Sequence, residues 1–158
     1  KQHNQRVDQF IHGISGTEVT LISKGRSAIK RILQSLDQGR CIVMVADQHA
    51  GPNGILSEFM GRKASTLTLP AAFVARNDIP IFTMAGHRVE NGRHQVNISP
   101  LAIADNPDKE ALKQDVTDAF NQAIGAAVLE HPDQYFWFHR RWRDSDADLD
   151  QSSEPPAL

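Results

Sequence analysis

The chain has 158 residues, of which 40% are apolar and 23% charged, and its net charge is −2. Those shares are those of an ordinary globular domain, long enough to bury a core, and no run of about 18 apolar residues is present to span a membrane. The single cysteine, Cys41, cannot close an internal disulfide and fits a reducing compartment.

Charge is unevenly spread. Residues 144–158, "DSDADLDQSSEPPAL", hold five acids and no base. Without them 17 bases face 14 acids, so the body is mildly basic and this acidic tail reads as disordered. No signal peptide is visible in "KQHNQRVDQF", and the first residue is not methionine.

In chain order, Val7, Phe10, Ile11 and Ile14 have helical spacing within 4–14. "EVTLIS" (18–23) is rich in β-branched residues and predicts a strand. In "RSAIKRILQSLDQG", Ala28, Ile29, Ile32, Leu33 and Leu36 share one helical face, with Gly39 as C-terminal cap. "CIVMVA" (41–46) is a continuous apolar run, the mark of a strand buried on both faces. Residues 18–46 therefore predict a β-α-β unit with a parallel pair. A glycine-rich loop is expected from 47 to about 65. A helix over 68–77 tolerates Pro70 in its first turn. "IPIFTMAGHRVE" and "RHQVNISPL" flank Asn91-Gly92, the strongest short-range hairpin signal. A helix over 108–130 is expected to bury Leu112, Val116, Ala119, Phe120, Ala123 and Ala127, with Asp108 and Glu110 at its N-terminal end. Pro132 stops it. Tyr135, Trp137 and His139 then alternate with Phe136 and Phe138, as in a packed strand. The fold class is α/β: a mixed sheet with a β-α-β unit and a C-terminal hairpin, and helices packed on it.

Chemistry concentrates in "VADQHAGPNG" (45–54). Asp47 and Gln48 follow a strand, where α/β proteins place ligand residues. Asp47 could shape a pocket or close an Asx-turn. Gln48 could donate to a hydroxyl or to a developing oxyanion. His49 reads as a surface histidine. Gly51 and Gly54 serve backbone geometry. Trp137, Trp142, Arg140, Arg141 and Arg143 form a basic aromatic cluster that suits either packing or a bilayer interface. No Gly-x-Gly-x-x-Gly or Walker pattern occurs, which argues against a nucleotide enzyme.

"VADQHAGPNG", "FMGRKAST", "IPIF" and "HPDQYFWFHRRWR", in that order, resemble the lauroyl and myristoyl transferases of lipid A biosynthesis, in the lysophospholipid acyltransferase superfamily. The resemblance runs from about residue 1 to 143. It implies a glycerol-3-phosphate acyltransferase-like fold and transfer of a fatty acyl chain from acyl carrier protein or acyl-CoA to a hydroxyl of a lipid A precursor or related glycolipid. The place implied is the cytoplasmic face of the bacterial inner membrane. No metal, cofactor or nucleic acid is implied. By resemblance Asp47, Gln48 and Gly51 line the acceptor site, and Arg26 and Arg62 hold phosphate, a task suited to guanidinium forks.

The family's general base is a histidine in His-x4-Asp or His-x4-Glu, expected upstream of Lys1, so the chain reads as the C-terminal portion of an acyltransferase and as inactive alone. Two strings here fit His-x4-Asp, His3 to Asp8 and His139 to Asp144, but neither lies where the resemblance puts the dyad. A sheet lacking upstream strands would expose an edge and invite dimerisation. The competing reading is a non-catalytic α/β module that binds anionic lipid or acyl carrier protein.

Overall fold

A computed structural model describes residues 6, 9–10, 13, 19–23, 25, 27–77 and 79–143. The chain divides into two compact units, 1–44 and 45–158. The acidic tail, 144–158, lies outside the described residues, as do Lys24 and Arg26.

In the first unit, the described residues of the expected 4–14 helix (Arg6, Gln9, Phe10 and Gly13) are helical. Helix α1 spans Ala28–Asp37 and buries Ile32. Gly39 caps it as expected: its φ is +72°, and its N–H donates to the Leu36 carbonyl at 2.9 Å. The left-handed conformation explains the glycine.

The parallel pair does not form among the described residues. Residues 19–23 and 40–46 carry no strand pairing, and the two sheets present are both two-stranded and antiparallel. Cys41 is exposed, as are Val43 and Val45, at 72% and 77%. An apolar run becomes a buried strand only where a neighbour takes its ladder hydrogen bonds, and no described residue does so here. The α/β class stands; the single mixed sheet is corrected to two hairpins.

The second unit starts where the loop expected over 47–65 is replaced, in its later half, by a hairpin. Strands β1 (Ile55–Phe59) and β2 (Arg62–Thr66) pair from Ile55↔Thr66 to Phe59↔Arg62. Met60 and Gly61 make the turn, with φ +53° and +80°, the twist-matched geometry of a two-residue hairpin loop. Helix α2 (Leu69–Asn77) carries Pro70 in its first turn, as expected. The hairpin around Asn91-Gly92 also forms. Strands β3 (Phe82–Arg88) and β4 (His94–Pro100) pair in register from Phe82↔Pro100 to Arg88↔His94. Asn91 and Gly92 sit at φ +61° and +71°.

Helix α3 spans Lys109–Glu130, and the Asp108 carboxylate accepts from the Glu110 and Ala111 N–H groups. Its most buried residues are Val116, Thr117, Asn121, Gly125 and Val128. The buried stripe is thus turned from the expected one, because part of what the helix faces is polar. The core of this unit is Phe59, Ala64 and Val128, with Met60, Ile124, Tyr135 and Trp142 packed against it.

Candidate functional site

The segment after α3 is not the expected strand. A 3₁₀ turn over Pro132–Gln134 leads into a chain of turns. The alternation there has another cause: Tyr135 and Trp142 pack on the Phe59 ring at 6.1 and 5.7 Å between centroids, while Phe136 and Phe138 are exposed. This folding back carries Arg141 to complete burial, at 0% exposure.

Arg141 is the centre of a polar network. Nη2 donates to Thr66 Oγ1 at 2.7 Å and to Asn121 Oδ1 at 3.1 Å. Nη1 donates to the Ser65 carbonyl and, at 3.4 Å, to the Gln48 carbonyl. Asn121 Nδ2 donates to Thr66 Oγ1 at 2.9 Å. The guanidinium lies 5.2 Å from the Phe59 ring centroid, within cation–π range. Burying a cation is expensive unless its donors find acceptors, and four of them are supplied here by β2, α3 and the loop after Ala46.

That loop is fastened along its length. The Tyr135 hydroxyl donates to the Asp47 carbonyl at 3.5 Å. The His49 N–H donates to His139 Nε2 at 2.7 Å, and the Ala50 N–H donates to the Ser65 carbonyl at 3.1 Å. Ser65 Oγ donates to the Gly51 carbonyl at 2.6 Å. Gly51 has φ +79°, a conformation that favours glycine.

Asp47 is half-buried, and its Oδ1 is buried with no hydrogen-bond partner among the described residues; the same holds for Arg141 Nε. Burial chiefly, and the Asp47 charge next, push the Tyr135 hydroxyl's pKa up, while Arg141 pulls it down. Burial lowers the pKa of Arg141, against the opposing pull of Tyr135 and Asp47. Asp47, Tyr135 and Arg141 thus form one electrostatic group. A carboxylate in that setting attracts hydroxyl or amide donors and repels phosphate.

Because the Tyr135 pKa is raised on folding, this group favours the folded chain below its ordinary value of 10.0, and that contribution is lost as pH rises beyond it. Melting temperature should therefore fall above about pH 10 in the native chain and fall less steeply in Tyr135→Phe. Equal slopes in the two proteins would contradict the coupling.

The other expected site residues are dispersed. The Gln48 side chain is exposed, and only its carbonyl joins the network. Arg62 is exposed and sits 5.6 Å from the Trp142 ring centroid. Arg26 lies outside the described residues. A groove of about 680 Å³ runs between β1 and α3, lined by Ser57, Met60, Asn121 and Gly125 among others; Asp47, Gln48, Gly51 and Arg62 do not line it. Of the two His-x4-Asp strings, His139 has its Nε2 engaged as an acceptor. Its Asp144 and the pair His3–Asp8 lie outside the described residues. No cluster that could hold a metal occurs among the described residues.

Sequence reasoning missed the burial of Arg141 and the part of Asn121 and Thr66. The available signal was Thr117, Asn121 and Gly125 at four-residue spacing, a non-apolar stripe inside a long helix.

The second unit is thus an α/β assembly in which a fastened loop holds a half-buried acid beside a buried guanidinium. Residues 1–144 match the family described as bacterial lipid A biosynthesis acyltransferase, and the chain belongs to that family. The family's chemistry takes an acyl donor and a lipid acceptor. Comparison with curated proteins finds no match. No helix among the described residues is long and apolar enough to cross a membrane.

Proposed function

We propose that the chain contributes the acceptor side of an acyl transfer, from acyl carrier protein or acyl-CoA to a hydroxyl of a lipid A precursor or related glycolipid, at the cytoplasmic face of the inner membrane. One observation carries this reading beyond family membership: the Asp47 carboxylate is held half-buried on a loop whose backbone is tied to Arg141, Ser65, Tyr135 and His139. Such fixing lowers the ordering cost of binding. Asp47 accepts from an acceptor hydroxyl, Gln48 reaches out from the same loop, and Gly51 allows its turn; Arg26 and Arg62 remain separate candidates for phosphate contacts.

This reading leaves His139 out as the proton acceptor, because its Nε2 takes the His49 N–H. On this reading no described residue supplies the dyad that removes the hydroxyl proton, and acyl transfer by the chain alone is not expected.

The test is acceptor binding and turnover with the isolated chain. A lipid A precursor should bind, and Asp47→Asn should weaken that binding about tenfold or more, the scale of one charge-assisted hydrogen bond. Acyl transfer from acyl carrier protein or acyl-CoA should be undetectable. Turnover by the isolated chain would overturn the missing-base argument, and unchanged affinity in Asp47→Asn would overturn the acceptor role.

A further inference from the structure

The hairpin of β3 and β4 turns its apolar face outwards. The register places Phe82 opposite Pro100, Met84 opposite Ile98, Gly86 opposite Val96 and Arg88 opposite His94. Alternation puts these four rungs on one face. Phe82, Met84, Val96 and Ile98 are 57%, 50%, 53% and 63% exposed. The intervening β3 residues Thr83, Ala85 and His87 are the half-buried ones. His87 stacks on His131 at the end of α3, 3.8 Å between ring centroids, so on β3 the more polar face is the one turned to the helix, while β4 is exposed throughout. A half-buried hairpin ordinarily does the reverse.

The charge on the outer face is ordered too. The three apolar rungs end at the Arg88–His94 rung, and Arg93 stands in the adjoining turn with Glu90 as its one acid. The patch is therefore apolar along its length and cationic at one end. Its placement is firm: the Gln134 side chain accepts from the Arg88 N–H at 2.6 Å and donates to the Arg88 carbonyl at 3.0 Å.

We propose that this face is the chain's contact with an anionic lipid bilayer, with Met84, Val96 and Ile98 at the acyl boundary and Arg88 and Arg93 on lipid phosphates. The proposal rests on the reading that the chain works at a membrane surface, and names the surface it uses. Apolar side chains beside cations are what an interfacial element presents to anionic lipid. A second copy is a poor fit by area. Two strands of seven residues cover roughly 24 by 10 Å, so paired faces would bury about 500 Å², half of the ~1,000 Å² that a stable interface needs.

The test is co-sedimentation of the whole chain with vesicles of phosphatidylcholine and phosphatidylglycerol in equal parts, and with phosphatidylcholine alone. The native chain should bind the anionic vesicles, and added salt should weaken binding. Ile98→Glu and Met84→Glu should each reduce partitioning about tenfold. Arg88→Gln with Arg93→Gln should bring anionic binding down to the neutral-vesicle level. Circular dichroism should be unchanged, since all four side chains are exposed. Absence of binding by the native chain overturns the proposal, as does binding by the variants at the native level. So does a dimer that Ile98→Glu converts to monomer while vesicle binding stays constant. The vesicles contain no glycolipid acceptor, so failure here and failure of acceptor binding are separate results.

Discussion

Arg141→Ala is expected to destabilise the chain by about 3–5 kcal/mol, which for a domain of this size is a large part of its stability. The substitution leaves a cavity against Phe59 and removes every bond the guanidinium makes. The resulting losses are unequal. The Ser65 carbonyl keeps the Ala50 N–H, and Thr66 Oγ1 keeps Asn121. The Gln48 carbonyl loses the one donor described for it, and the buried Asp47 Oδ1 loses the neighbouring cation. Arg141→Met should cost less than Arg141→Ala. Methionine refills much of the space on Phe59, and the desolvation cost of the guanidinium disappears. The ordering Ala worse than Met, read from urea midpoints, separates packing from polar pairing. A loss below about 1 kcal/mol in Arg141→Ala would mean that the network is ornamental to stability.

Gly54→Ala should also damage the loop, by about 2–3 kcal/mol. A Cβ there would stand 2.1 Å from Ser65 Oγ, 2.9 Å from Ala50 Cβ and 2.9 Å from the Thr66 carbonyl oxygen. The first of these atoms belongs to a side chain that holds the Gly51 carbonyl, and the others are fixed by the hairpin and the loop itself. Adding Ser65→Ala should recover only part of the loss, because two obstructions remain. Gly51→Ala meets open space and pays only the left-handed backbone cost, about 1 kcal/mol. A melting temperature for Gly54→Ala equal to that of Gly51→Ala would contradict this account.

Much of the fold was legible where local chemistry and tertiary packing agree. Asn91 and Gly92 demand positive φ and receive it. Asp108 caps α3 because a carboxylate satisfies orphan N–H groups there. Gly39 closes α1 for the mirror reason. The β1–β2 hairpin was illegible because Ser57 and Thr66 share its inward face with Phe59 and Ala64, and Ser65 is buried on the other face, so the period-two apolar signal is broken. Its turn is masked as well, since Met60 rather than Asn or Asp takes the left-handed position. The run 41–46 misled for the opposite reason: composition alone does not provide a strand with neighbours. In the candidate site, the sequence pointed to Asp47 by its place after that run, and the structure shows it half-buried on a fastened loop. The depth of Arg141 was not, because an arginine among arginines defaults to solvent, and only the joint placement of Thr66, Asn121 and Gln48 makes its burial tolerable.

The carboxamide of Gln134 occupies both backbone groups of Arg88 on the side of β3 away from β4. A neighbouring polypeptide seeking to add itself to the sheet would find its first docking position already filled. One amide thus closes a single rung of the β3 edge to an added strand.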